Sequence, residues 1–283
     1  MQIRHISKGP GRGQRVLYIP SPDERKRLNE LLQQINLVAQ GVNIVGGGLQ
    51  HGFQPDHSPV TNAMQHRGYA YSLCMDLEDF FDSVTPEHLP EELRFPECFP
   101  DGAARQGLPT SPALANIAAN KMDMEIVALL PQSKGIVHRV FDLFSDGVSR
   151  IEYTRYADDL TFSCNSLERL RTLEKLVPRI AEKHGFKVKA RKTRMQAAIA
   201  GRRIITGVAV DDKLHPTRRT RRKLRAALHQ RHTAEARGLS EWMRLVVPKF
   251  FNKARPVPPI QQQPKQPTQK REHPQTSRAF NFD

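Results

Sequence analysis

The side chains able to do chemistry here are acidic, and their positions are unusual. Asp76 closes a short apolar run, Tyr71-Ser72-Leu73-Cys74-Met75, and Asp158-Asp159 interrupts the stretch from Ile151 to Cys164, whose β-branched and aromatic residues alternate on both sides. Carboxylates flanked by apolar strands cost energy. Two of them about 4 Å apart repel by about 4 kcal/mol at an effective dielectric near 20, so a cluster of this kind is stable when divalent cations neutralise it. Oxygen donors without histidine or cysteine select Mg²⁺. Two such ions a few ångströms apart would activate an attacking hydroxyl and stabilise a leaving pyrophosphate, which is nucleotidyl transfer. An isolated Asp-Asp pair would serve a surface turn equally well, so the surrounding elements decide between the two readings.

Those elements can be read from the pattern. Tyr71–Met75 reads as a buried strand ending at Asp76, and residues 151 to 164 read as a hairpin with Ala157-Asp158-Asp159 at its tip. Ser21-Pro22-Asp23-Glu24 starts a helix carrying Leu28, Leu31, Leu32, Ile35 and Val38 at helical spacing. Residues 40 to 59 are rich in glycine and turn formers and read as irregular. Ser111-Pro112 repeats the cap and proline signature before a long helix with Leu114, Ile117, Ala118 and Met122 on its apolar face. Leu167 to His184 reads as an amphipathic helix, Thr217 caps another containing Leu224, Ala227 and Leu228, and a last short one runs from Ser240 through Trp242 and Leu245 to Pro248.

Composition points to the partner. The chain has 283 residues, and 44 Lys and Arg against 29 Asp and Glu give a net charge of +15, so a polyanion is expected, nucleic acid above all. The charge is concentrated between Lys187 and Arg231, where 15 basic residues face only Asp211 and Asp212. Three cysteines, Cys74, Cys98 and Cys164, offer neither a disulfide framework nor a zinc site and suggest a reducing cytoplasm. No apolar run suggests a membrane span or secretory signal. The segment 252–283 carries six prolines and six glutamines and reads as a disordered tail.

Taken in order, Met75-Asp76-Leu77-Glu78-Asp79-Phe80-Phe81, Gln106-Gly107-Leu108-Pro109-Thr110-Ser111-Pro112 and Tyr156-Ala157-Asp158-Asp159 resemble the palm of reverse transcriptases. Two further strings, Asn62-Ala63-Met64-Gln65-His66 and Ile205-Thr206-Gly207, are similar to the N-A-x-x-H and V-T-G signatures of bacterial retron enzymes, with isoleucine for valine in the second. The resemblance implies an α+β right hand with an antiparallel palm sheet: fingers at 1–70, palm at 71–210, a basic thumb at 211–251 and the tail beyond.

By the same resemblance, Asp76, Asp158 and Asp159, with the Leu77 carbonyl, would hold two Mg²⁺ ions. Phe81 would be the steric gate against a ribose 2′-hydroxyl, or a core phenylalanine. Gln106 and Gly107 would contact the incoming dNTP, although an ordinary turn also explains the glycine. Arg15, in the glycine-rich ribbon before Ile19-Pro20, would grip triphosphate, and Lys192 would protonate pyrophosphate, although Lys189 or Ala190 stands where an asparagine is expected. Asn62 and His66 would contact RNA, or would simply cap and pack a local turn. Arg218, Arg219, Arg221, Arg222, Lys223 and Arg225 occupy several sides of one helix, with no acid between Lys213 and Ala234, and would track the phosphates of RNA or an RNA–DNA hybrid.

What the resemblance implies is RNA-templated DNA synthesis on a structured noncoding RNA, primed from an internal 2′-hydroxyl to give branched msDNA, in an anti-phage system with an effector protein. Two alternatives stay open: another bacterial reverse transcriptase, of group II intron or template-independent type, and a catalytically inactive RNA-binding scaffold.

Overall fold

The computed structural model describes residues 1–7, 9, 11, 13–41, 49–130 and 150–246. The expected disordered segment 252–283 lies outside them, as do Pro248 and part of the irregular stretch. The chain opens with a hairpin of β1 (Gln2–Ser7) and β2 (Gln14–Ile19), the first of which the sequence pattern does not announce. Helix α1 (Pro22–Gly41) starts as expected, with the Ser21 amide donating to the Glu24 carboxylate and the Glu24 amide to the Ser21 hydroxyl. Its Leu28, Leu31 and Ile35 are fully buried.

The central sheet is antiparallel throughout. It is built from β3 (Tyr71–Asp76), β4 (Glu152–Tyr156), β5 (Asp159–Cys164) and β6 (Arg194–Ala197) in the order β4-β5-β3-β6. Leu73, Met75, Leu160 and Phe162 face one core together with α1, α3 (Ser111–Leu129) and α4 (Leu167–Lys183). This mixture of helices with an antiparallel sheet is the expected α+β class. Leu114, Ile117, Ala118 and Met122 of α3 are buried as their spacing requires, although the N-cap is Thr110 and the Ser111 hydroxyl instead donates to the Arg105 carbonyl.

The opposite face of the sheet is polar and equally buried. There α2 (Pro59–Gln65) and a small sheet of β7 (Arg203–Ile205), β8 (Val208–Val210) and β9 (Leu214–Pro216) cover Ser72, Cys74, Thr154 and Ser163. His66, just after α2, bonds Ser163 Oγ at 2.9 Å and Thr154 Oγ1 at 2.7 Å, while Arg203 bonds Ser72 Oγ and the His66 carbonyl, both at 2.8 Å. The Asn62 amide reaches Thr206 Oγ1 at 3.4 Å. Asn62 and His66 are fully buried, which corrects their reading as RNA contacts: no atom of either side chain reaches solvent, and they pack the local turn against the sheet.

A strongly basic helix and a charge-balanced one close the described chain. Thr217 caps α5 (Arg218–His229) by accepting from the Thr220 amide. Of its expected inner residues only Ala227 is buried; Leu224 is half-buried and Leu228 exposed, because α5 is covered along one stripe, chiefly by the neighbouring α6. Helix α6 (Thr233–Val246) begins well before the expected Ser240. Gly238, which discourages a helix by about 1 kcal/mol, is carried by packing against α5, and Trp242 joins the second core while Leu245 stays exposed.

Burial and the charge of Arg203 hold the His66 imidazole neutral down to about pH 3. The unfolded chain takes up that proton near 6.5, so the unfolded state binds more protons and stability falls as pH drops from about 6.5 toward 3. Urea unfolding across that range should show this loss, and His66→Gln should flatten the slope by up to one proton.

Candidate active site

Strand pairing assembles the acids. Asp76 is the last residue of β3 and lies opposite Asp159, the first of β5, which in turn pairs with Tyr156 of β4. That register leaves Ala157 and Asp158 as the two-residue turn of the hairpin, and Ala157 takes a left-handed φ of 55°. The chain beyond Asp76 is stitched on both sides: the Leu77 amide donates to the Asp158 carbonyl at 2.9 Å, and the Lys189 amide donates to the Asp76 carbonyl at 2.7 Å. Asp76 and Asp158 line an open cleft of about 1000 Å³, as do Leu77, Phe81, Gln106 and Arg15, whereas Asp159 is not among its lining residues.

The carboxyls oppose one another's ionisation. Burial and the neighbouring Asp76 push the Asp158 carboxyl up, and burial with Asp158 and Asp76 pushes Asp159 up to about 7. Lys192 meets this excess of negative charge, its ammonium lying 2.6 and 2.7 Å from the two Asp76 oxygens. Among the described residues no three His, Cys, Asp or Glu side chains form a closed metal cage. Mg²⁺ does not need one, since it is commonly held by one or two carboxylates with substrate phosphates completing its shell. An oxygen-only pair on an open cleft, with carboxyls that resist ionising beside each other, fits such ions.

The other expected residues are distributed unevenly. Arg15 is exposed on the cleft wall and lowers the Asp158 carboxyl electrostatically against the upward push of burial. Phe81 is half-buried at the cleft, while Phe80 is the core residue of the pair. Gln106 lines the cleft and its carbonyl accepts from the Tyr18 amide at 2.9 Å. Gly107, at φ 111°, is off the cleft wall; a Cβ there would overlap the Tyr18 carbonyl, so the glycine serves the contact with β2. Arg218, Arg219, Arg221, Arg222, Lys223 and Arg225 are all exposed on α5, away from the acids.

Several functional positions escape the sequence reading. Lys189 and Arg191 join Lys192 on the cleft. Beneath the turn, Arg155 is wholly buried, with Nε 3.0 and 2.9 Å from the two Asp123 oxygens and one terminal nitrogen 3.0 Å from Asn116 Oδ1 and 3.2 Å from the Ala157 carbonyl. Tyr153 and Gln50 also donate to Asp123, at 2.7 and 3.0 Å. Arg155 is thus a positioning residue that ties α3 to the left-handed turn presenting Asp158. The available signal was Asn116 and Asp123, seven residues apart on the apolar face of α3, where uncompensated polar groups are costly.

Residues 6–223 match the family described as reverse transcriptase (RNA-dependent DNA polymerase). The chain is 30% identical to the retron Mx65 reverse transcriptase of Myxococcus xanthus, over 87% of this chain and 62% of that protein. It is 27% identical to the retron Ec86 reverse transcriptase of Escherichia coli, over 78% of this chain and 67% of that protein. It therefore spans less than two thirds of the length of the first. Among solved structures, apo telomerase from Candida tropicalis superposes with a TM-score of 0.53 at 11% identity, over 76% of this chain and 48% of that one. Telomerase from Candida albicans, with a fragment of telomeric RNA, gives 0.51 at 11% identity, over 76% and 45%. Those two likenesses are of fold.

Removing one partner of a buried ion pair leaves an uncompensated charge and costs about 3–5 kcal/mol, whereas replacing both with apolar groups is often neutral. Arg155→Met should therefore lower the urea-unfolding free energy by about that amount, and Arg155→Met with Asp123→Leu should recover most of it. Equal losses in the single and double variants would contradict the paired role.

Proposed function

The chain belongs to the reverse transcriptase family, and from that premise we propose that it synthesises DNA on an RNA template by two-metal nucleotidyl transfer, as a retron enzyme does. The observation that carries this reading is the placing of Asp76 and Asp158 in a cleft that is also lined by Arg15, Gln106, Phe81 and Lys192. The likeness to retron reverse transcriptases supports a retron-type enzyme, and the narrower part is our proposal: a structured noncoding RNA as template, priming from an RNA 2′-hydroxyl, branched msDNA as product, and anti-phage defence in the cytoplasm with an effector protein. Among the described residues no helix is long and apolar enough to cross a membrane.

Roles follow from position. Two Mg²⁺ ions, held by Asp76 and Asp158 with Asp159 and the Leu77 carbonyl as further oxygen donors, would supply activation of the primer hydroxyl and charge stabilisation at the departing pyrophosphate. Arg15 from the β1–β2 hairpin and Lys189, Arg191 and Lys192 from the segment before β6 all line the cleft, so a dNTP triphosphate would be gathered by cations from two segments of the chain. Lys192 Nζ stands at the acids, where a proton is needed by the leaving group. Phe81 would fill the space of a ribose 2′-hydroxyl. The residues 1–70, 71–210 and 211–251 then act as fingers, palm and thumb, and the exposed α5 cations would hold the hybrid by its backbone.

Asp158→Asn should abolish DNA synthesis while RNA binding stays near the native level; a variant that still polymerises would overturn the site. Replacing Arg219 and Arg222 by Ala should weaken binding to RNA of any sequence and reduce the slope of log affinity against log salt by about 1–2. The wider reading is tested by purifying the protein from cells carrying its native flanking DNA and treating the bound nucleic acid with RNase and debranching enzyme. DNA that shortens on debranching supports retron priming. DNA without a branch would leave another type of reverse transcriptase, and RNA alone, with no synthesis on added dNTPs and Mg²⁺, would leave the scaffold.

A further inference from the structure

The segment before α2 places one residue in the cleft that the proposed mechanism does not use. Gln50 bridges to Arg155 alongside β4, with the His51 amide donating to the Arg155 carbonyl and the Arg155 amide to the Leu49 carbonyl, each at 2.8 Å. Gly52 follows against the catalytic turn. A Cβ there would overlap the Ala157 amide, and the Gly52 carbonyl accepts from Asn116 Nδ2 at 2.9 Å. The next residue, Phe53, adopts φ 61°, a left-handed conformation rare for a bulky side chain, and the residue is 49% exposed and lines the cleft. Strain of this sort persists where the surroundings over-determine it, and it concentrates at functional sites. Here the anchors at His51 and Gly52 hold the backbone that leads into Phe53.

That ring meets Phe81. The Phe53 and Phe81 centroids lie 5.9 Å apart at 47°, a tilted aromatic contact, and Phe81 also meets the buried Phe80 at 5.8 Å. Phe81 is only half-buried, so Phe80 alone leaves one direction in which its ring can yield. A steric gate rejects a 2′-hydroxyl only to the extent that it cannot move aside.

We propose that Phe53 is the positioning residue that holds Phe81 in place from the solvent side and so sets how strongly the site rejects ribonucleotides. This rests on the reading of Phe81 as the gate. Because Phe53 is anchored through Gly52 to the turn that carries Asp158, discrimination of the sugar is registered to the catalytic acid itself.

The test is single-nucleotide extension of a DNA primer on an RNA template by the full chain, comparing kcat/KM for dCTP and for CTP. Phe81→Ala should lower the deoxy-to-ribo ratio most. Phe53→Ala should lower it by about two- to tenfold, the range that one aromatic contact supplies, and Phe53→Tyr should restore it. A general loss of structure would depress both nucleotides together and leave the ratio alone; thermal unfolding of each variant checks this separately. If Phe81→Ala lowers the ratio and Phe53→Ala leaves it unchanged, the inference is overturned. If neither changes it, the gate reading beneath it fails.

Discussion

A buried ion pair sits under everything the cleft does. Asp123 on α3 and Arg155 on β4 have no exposed surface, and each has further hydrogen-bonding partners of its own: Tyr153 and Gln50 on the carboxylate, Asn116 and the Ala157 carbonyl on the guanidinium. A charge pair in such a place needs partners for its lone pairs and protons, and all find one here except the guanidinium Nη2, which meets Asp123 at 2.8 Å as an ion pair without a well-directed hydrogen bond. Its fork ties the long helix to the hairpin and holds the carbonyl of the left-handed Ala157 that precedes Asp158. Packing alone tolerates small slides between a helix and a sheet; a fork of directed hydrogen bonds does not.

Above the pair, the cleft works by opposing charge. Acids arrive from the ends of β3 and β5, and bases arrive from the β1–β2 hairpin and from the segment at Lys189 to Lys192. Lys192 on Asp76 gives the carboxylate a partner that water alone would not provide so close to Asp158. The ammonium is half exposed, so it can be exchanged for other cations and is available to phosphate. The same geometry thus protects the acids and offers a landing place for a polyanionic substrate.

The other face of the sheet explains how the basic helix is carried. His66, Ser163, Thr154, Ser72 and Arg203 form a buried polar layer that joins α2 and the small sheet to the central strands. Through Val246 and Trp242, α6 rests on the same second core, and α5 rests on α6. The cationic surface is therefore mounted on the back of the very strands that present the acids, and its exposure follows from leaning, among the described residues, chiefly on α6.

Local pattern alone determined much of this protein. The strand ending at Asp76, the hairpin around Asp158, the helices begun by Ser21-Pro22 and near Ser111-Pro112, and the concentration of positive charge are properties of neighbouring residues, because period, caps and turns act over a few positions. Tertiary structure decided the rest. Asn62 and His66 read as contacts for a ligand and became buried struts, because burial depends on what a distant segment places over them. Gly107 was needed by Tyr18, and α6 ran through Gly238, for the same reason. Asp123 with Arg155, and Phe53 with Phe81, are far apart in sequence and meet only when the sheet is formed, so no spacing along the chain could reveal them. Residue types fixed which chemistry was available, and the long-range pairing of strands and helices fixed which of those residues share a site.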